Sequence, residues 1–421
     1  MGNYTTNLSL YNTDMNTDGN DYFDFQRDLN DNNDKIDSAF GKLSDLNTTY
    51  KTNIVGAINE SLLNNELYLP ENYTINLKAD GTGDFPTIKD AINYIGKHII
   101  NNKVIIELDD GTYNIDECIF IRLNAQSFNG TTNLSILIKS KNEDNSLVTI
   151  KATSTMNYLF YISDMAVDVK DITFDCNSLS GMSFLSFRSI VRFTNCVFKN
   201  SLNDAWGVDC ESVGYIKNCD TQSNNVGGAY VGGKSICNFQ GTNTLSCSND
   251  EALTIIGHSF GILDSGSDFT AIAPSGRYGI YNAENSMLAL NASKIRISSN
   301  KTALYIDASV AYINCPDYIL EGTGTGIGLS LLVGSSFYCG GNANGTIKSA
   351  TGYAINCVQG SQVALWVGTH KLQTNSGNVC VYCALESIVT LTYANTSFLA
   401  SSTTSPAVNT SGNSNAIIPR Y

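Results

Sequence analysis

The sequence predicts an all-β chain wound as a parallel β-helix, with an N-terminal α-helical coiled-coil stem and a capping helix. Three observations predict this. One short phrase recurs nine times between about residues 182 and 391, apolar residues alternate inside it, and a seven-residue spacing runs through residues 25–66. Each copy reads apolar-x-apolar, a polar corner, Ser, then apolar-x-x-apolar, as in residues 229–239 (AYVGGKSICNF) and 304–313 (LYIDASVAYI). The matched serines are Ser189, Ser212, Ser235, Ser259, Ser286, Ser309, Ser335, Ser361 and Ser387, at steps of 23, 23, 24, 27, 23, 26, 26 and 26 residues. A repeat of this length with period-two spacing marks a solenoid of strands. A leucine-rich repeat would need its L-x-x-L-x-L phrase, and a propeller blade about 40 residues. The serines read as structural corner residues that stack coil on coil, because no His/Asp partner recurs beside them.

Composition narrows the function. Charged residues are 15 %, and Lys+Arg 25 against Asp+Glu 39 leaves −14. Such a chain is not a nucleic-acid binder by charge. The 12 cysteines show no Cys-x-x-Cys pair repeated at zinc spacing, so they read as small buried thiols, with no metal site and no cofactor. Core thiols imply folding in a reducing cytosol. The opening stretch lacks a basic start and an apolar core, unlike a signal peptide. No apolar run reaches the roughly 18 residues of a membrane span, so no membrane insertion is expected.

In chain order, residues 1–24 are rich in Asn, Thr and Asp and form an attachment segment. Residues 25–66 carry the stem. Leu29, Ile36, Leu43 and Tyr50 are spaced by seven, and Asn33, Phe40, Asn47 and Ile54 fall four residues after each. This is an a/d seam in which Asn alternates with apolar residues, and it favours self-association over a lone amphipathic helix. Four heptads do not separate two strands from three. The β-helix occupies residues 67–400, opened by a cap helix at about 87–99 with Ile88, Ala91, Ile92, Ile95 and Ile99 on one face. An open first coil exposes unpaired backbone and apolar side chains, so it needs such a cap. Residues 401–421 read as a closing tail.

Two resemblances follow from quoted residues. Residues 78–95 (KADGTGDFPTIKDAINYI) with 103–115 (KVIIELDDGTYNI) resemble the opening of the pectin-lyase-like right-handed β-helix superfamily, pectin methylesterases included. This implies a right-handed winding. Residues 17–21 (TDGND), 29–37 (LNDNNDKID) and 51–60 (KTNIVGAINE) are similar to the openings and helical stems of tail fibres and tail spikes. Those belong to phages, and phage-tail-like bacteriocins, of Gram-positive bacteria. This resemblance implies a homotrimeric receptor-binding spike. It would join a tail or baseplate protein through residues 1–24, and contact bacterial cell-surface carbohydrate. It would be a virion tail component, folded in the bacterial cytoplasm before release.

Chemistry on such a scaffold needs carboxylates facing one groove. Asp209 and Glu211 alternate with Val208 and Cys210, so both are expected outward on one strand, about 7 Å apart. They are the candidate catalytic pair. Trp206, with Asp204, Asp209 and Glu211, is the candidate glycan-binding set. Asp250 and Glu251 with His258 faintly resemble polygalacturonase-like hydrolases, but His258 occupies the ordinary corner before the matched Ser. Asp164, Asp168, Asp171 and Asp175 form a run that a solvated outer face explains. The catalytic phrases of the methylesterases are missing from residues 201–228, so esterase activity does not carry over. The reading is a structural and adhesive protein; the alternative is a polysaccharide depolymerase, lyase or glycoside hydrolase, on the same scaffold.

Overall fold

The structure is a computed structural model. It describes residues 3–4, 11–12, 30–40, 68–70, 72–100, 103–122, 135–223, 227–340, 343–366, 368–374, 379–391, 394–400, 408–411 and 414–417. The chain divides into two compact units, Met1–Leu69 and Pro70–Tyr421. In the first, β1 (Asn3–Tyr4) pairs antiparallel with β2 (Tyr11–Asn12). Its helix α1 (Asp31–Phe40) carries Asn33, exposed, and Ile36, half-buried. The seam positions Leu29, Leu43, Asn47, Tyr50 and Ile54, and the side chain of Phe40, lie outside the described residues.

The second unit opens with strand Tyr73–Leu77 and the cap helix α2 (Ile88–Ile95). Thr87 caps α2: its hydroxyl accepts from the Asp90 N–H at 3.0 Å and donates to the Asp90 carboxylate at 2.7 Å. Ile88, Ala91, Ile92 and Ile95 are buried, so the expected apolar face is the covered one. The helix is shorter than the expected 87–99. Gly96 caps it, and Ile99 belongs to a strand, Ile99–Ile100.

The rest is a right-handed parallel β-solenoid of three sheets. Sheet A has 14 strands, from Tyr73–Leu77 to Asn415–Ile417. Sheet B has 12, from Gly111–Ile115 to Ala394–Ala400. Sheet C has 12, from Ile119–Ile121 to Val408–Ser411. One coil is a C strand, a corner, an A strand, a corner and a B strand, for example Trp206–Asp209, Val213–Lys217 and Asp220–Ser223. The winding passes residue 400, since strands Val408–Ser411 and Asn415–Ile417 extend sheets C and A. The described part of the expected tail is therefore a further coil, held by the same parallel ladders.

The recurring Ser builds the C-to-A corner. Two consecutive residues with positive φ precede it in most copies: Cys210 and Glu211 (51° and 63°), Glu284 and Asn285 (both 58°), Leu385 and Glu386 (57° and 63°). Each Ser hydroxyl then accepts the N–H of the matched Ser one coil earlier. Ser212 N–H reaches Ser235 Oγ at 3.1 Å, Ser259 reaches Ser286 at 3.1 Å, and Ser361 reaches Ser387 at 3.1 Å. The ladder runs from Met165 N–H to Ser414 Oγ. A corner N–H points away from the strand ladders, and burying it unpaired would cost about 1–3 kcal/mol. The hydroxyl supplies that partner, which is why one small polar residue recurs. At the A-to-B corner Asn serves the same purpose in some coils: Asn218 Oδ1 accepts the Thr242 N–H at 2.9 Å, and Asn243 Oδ1 accepts the Cys219 N–H at 3.0 Å.

Parity on sheet A follows from the buried Ser. In Ser235-Ile236-Cys237-Asn238-Phe239 the buried residues are Ser235, Cys237 and Phe239, so Ile236 points outward. The residue directly after each Ser thus faces outward; it is apolar in seven of the nine copies and is Ser336 and Gln362 in the other two. The core between the sheets is filled by stacked aromatics, such as Phe160 on Phe184 (4.8 Å) and Phe174 on Phe198 (5.4 Å). All 12 cysteines are free thiols, ten of them buried.

Candidate functional site

Sheet C presents the chemically richest outer face. The middle position of each apolar-x-apolar segment points out, and parallel register stacks these positions in one column. From Phe120 the column reads Tyr161, Leu185, Gly207, Tyr230, Thr254, Tyr281, Tyr305, Ser330, Asn356 and Tyr382. Tyr158, Tyr278 and Tyr353 flank it. The rings gather in clusters: Tyr278 stacks on Tyr305 at 4.4 Å and on Tyr281 at 5.4 Å, and Tyr353 stacks on Tyr382 at 4.9 Å. These tyrosines are part-exposed, so ring faces and hydroxyls both reach solvent. Burial and neighbouring acids push the Tyr230 and Tyr305 phenols up to about 12, which keeps both neutral hydrogen-bonding groups.

A carboxyl group cluster lies where sheet B turns into sheet C. Asp204 precedes strand Trp206–Asp209, Asp250 and Glu251 precede Leu253–Ile255, and Arg277 precedes Tyr278–Ala283. Gly227 makes room for it, since a Cβ there would fall 1.7 Å from Asp204 Oδ1. Glu251 is 9 % exposed. Burial first, then its hydrogen bond and repulsion with Asp250, push its carboxyl group up to about 8, against a smaller pull from Arg277. Burial, then Asp250, raises Asp204 to about 6. Burial therefore favours the protonated form of Glu251 more strongly than that of Asp204, a separation that general acid–base chemistry uses. Glu251 also acts electrostatically on Tyr278 and Tyr281, which places the cluster at the edge of the tyrosine face.

The expected site residues fare differently. Trp206 does not offer a stacking surface: it is 0 % exposed, and its indole N–H donates to Thr221 Oγ1 at 3.2 Å inside the core. Gly207 takes the outward position instead. Asp209 and Glu211 do not share a strand face. The strand ends at Asp209, whose carboxylate accepts the Cys210 N–H at 2.8 Å, and Glu211 sits exposed in the left-handed corner at φ 63°. Asp209 still borders Tyr230 electrostatically, as does Asp204. His258 is an exposed corner residue at φ 63°.

The aspartate run is divided among separate partners. Asp164 pairs with Arg188 at 2.9 Å, and Asp168 with Arg192 at 3.0 Å. Asp171 and Asp175 accept from Asn195 and Asn200, each at 2.8 Å. Asp171 is buried in its corner rather than solvated. Among the described residues no group of three or more His, Cys, Asp or Glu side chains is placed to hold a metal ion. No described helix is long and apolar enough to cross a membrane.

The tyrosine face escaped the sequence reading, yet its signal was present. Tyr is the middle residue of Ala229–Val231, and it recurs in that role at Tyr281, Tyr305 and Tyr382. The phrase marks that position only as variable; register makes it a column.

No known protein family matches the chain, and no curated protein matches it. Among solved structures it is similar to the A-module of the Azotobacter vinelandii mannuronan C-5 epimerase AlgE4, at 10 % identity and TM-score 0.47, over 77 % of this chain and 93 % of that one. A pectin methylesterase from Aspergillus niger matches at 11 % identity and TM-score 0.30, over 83 % and 86 %. ORF18 of Geobacillus virus E2 matches at 12 % identity and TM-score 0.32, over 98 % and 67 %.

Proposed function

We propose that this chain is a structural and adhesive virion tail protein, a homotrimeric receptor-binding fibre or spike that recognises a bacterial surface glycan. The observation that carries the glycan reading is the tyrosine column on sheet C. Pyranose rings offer C–H faces to aromatic rings and hydroxyls to phenols and carboxylates, so a row of part-exposed tyrosines edged by acids suits an extended sugar polymer. Tyr230, Tyr278, Tyr281 and Tyr305 form its centre. Asp204 and Asp209 border it, and exposed Glu211 lies at the adjoining corner. The tail assignment rests on the resemblance of residues 17–21, 29–37 and 51–60 to tail-fibre openings and stems. Residues 1–24 would join the tail or baseplate, residues 25–66 would associate the copies, and folding would precede release from the host cytoplasm. Nucleic acid, membrane insertion and cofactors have no part in this reading. Titration calorimetry with purified host-surface polysaccharide tests it. Saturable binding lost in Tyr281→Ala/Tyr305→Ala supports the face; equal binding by that variant removes it.

A second reading is favoured by one specific observation, the buried Glu251 carboxyl group set beside Asp250 at the edge of the tyrosine face. On this reading the same face presents a polysaccharide to a depolymerase site. Glu251 serves as the general acid and an ionised neighbour as base or stabiliser. Release of new reducing ends from that polysaccharide, abolished by Glu251→Gln, would establish it. Asp209→Asn tests the other candidate acid. No release from any host-surface polymer leaves the adhesive reading.

A further inference from the structure

The outer face of sheet A carries a column of exposed apolar side chains. Seven consecutive strands contain no charged residue: Ile236–Gln240, Phe260–Leu263, Met287–Leu290, Val310–Ile313, Ser336–Cys339, Gln362–Leu365 and Ile388–Thr390. The outward position after each ladder Ser is mostly apolar and well exposed: Ile236 37 %, Phe260 43 %, Met287 40 %, Val310 38 %, Ile388 37 %. Parallel register aligns these residues in one column, continuing from Ile190 and Val213. Val333, Leu385 and Trp366, also exposed, flank it. The earlier strands of the same sheet are charged and internally paired. Lys139 binds Glu107 at 2.8 Å, and Arg192 binds Asp168 at 3.0 Å.

We propose that this uncharged face is where copies of this chain pack against one another, side by side and parallel. Two physical points select a second copy as the occupant. The chain carries −14, so copies repel across charged surfaces, and seven strands free of charge offer an approach without that cost. The seven uncharged strands, spaced about 4.8 Å and each about 13 Å long, span roughly 400 Å² per copy, or about 800 Å² per pair. That matches the largest apolar patches, which are often functional, and as an interface it is small, so it adds to the stem's self-association and does not replace it. Parallel packing sets apolar coil against apolar coil. Antiparallel packing would bury the charged strands around Asp168 and Arg192 against Tyr338 and Trp366. The inference deepens the self-association proposed above by naming its surface, and it does not depend on what the tyrosine face binds.

The test uses the full chain with a photo-reactive benzophenone amino acid at position 287, and a control at outward Thr270 on sheet B. Mass in solution is measured in parallel. The expected result is a multimer that gives covalently joined copies on illumination at 287 but not at 270. Phe260→Lys, built into the 287 probe, should lower the joined fraction at least tenfold with an unchanged circular-dichroism spectrum. A multimer with no joining at 287 would overturn the face while leaving the stem's self-association intact. A monomer at all concentrations would overturn both.

Discussion

Sheets A and C are built from the same phrase, yet their outer faces differ in kind. On sheet C the outward column carries Tyr161, Tyr230, Tyr281, Tyr305 and Tyr382, and acids gather at its edge. On sheet A the matching column carries Ile190, Val213, Ile236, Phe260, Met287, Val310 and Ile388, with Ser336 and Gln362 between Val310 and Ile388, and no tyrosine. The inner faces of both sheets meet one requirement, the filling of a shared core, and so look alike. The outer faces are released from that requirement. On the readings proposed above, their divergence reflects what each one meets: a polar, ring-shaped ligand on C, and an apolar protein surface on A.

The largest expected effect tests which side of sheet C Trp206 belongs to. Trp206→Ala should lower stability by about 3–5 kcal/mol in chemical denaturation, because a large buried ring and its hydrogen bond vanish together. An unchanged midpoint would return Trp206 to the surface. Next is the corner that joins the two faces. Ser286→Ala removes the acceptor of the Ser259 N–H and should cost about 1–3 kcal/mol. Ser275→Ala, at an exposed position outside the ladder, should leave the midpoint in place.

The two faces should then separate by function. Tyr281→Ala/Tyr305→Ala should weaken glycan binding about tenfold or more, roughly 1.4 kcal/mol, while Phe260→Lys leaves glycan affinity unaltered. Equal losses from both variants would dissolve the distinction between the faces. The smallest effect is a pH dependence at the edge of sheet C. Burial in the folded state pushes the Glu251 carboxyl group up to about 8, above its ordinary value of 4.5. The folded chain therefore binds more protons than the unfolded chain between those values, and this group's contribution falls as pH rises through the window. Glu251→Gln should raise the melting temperature at pH 8.5 by about 2 °C or more, and change it little at pH 4. A gain of the same size at both pH values would mean that Glu251 is not held protonated.

The apolar-x-apolar alternation and the Ser steps near 25 residues sufficed to read coils, corners and the structural role of Ser189 through Ser387. The site was far less legible. Trp206 reads as a sugar platform because it is aromatic and lies beside acids. Asp209 and Glu211 read as a pair because alternation is assumed to run through the corner. Two left-handed residues, Cys210 and Glu211, break that alternation. Glu251 was legible as a residue of interest, but not as a proton donor, because its raised pKa comes from burial against a neighbouring coil.

What the sequence determined by itself is the winding. Stacking like on like needs only a repeated pattern of short apolar segments, and that pattern is local. The tertiary structure alone decided which member of each alternating pair faces out, because direction is inherited through the corner's backbone angles and not through residue type. That is why Ile236 and Phe260, as apolar as any core residue, stand on the surface, while Trp206 is sealed inside.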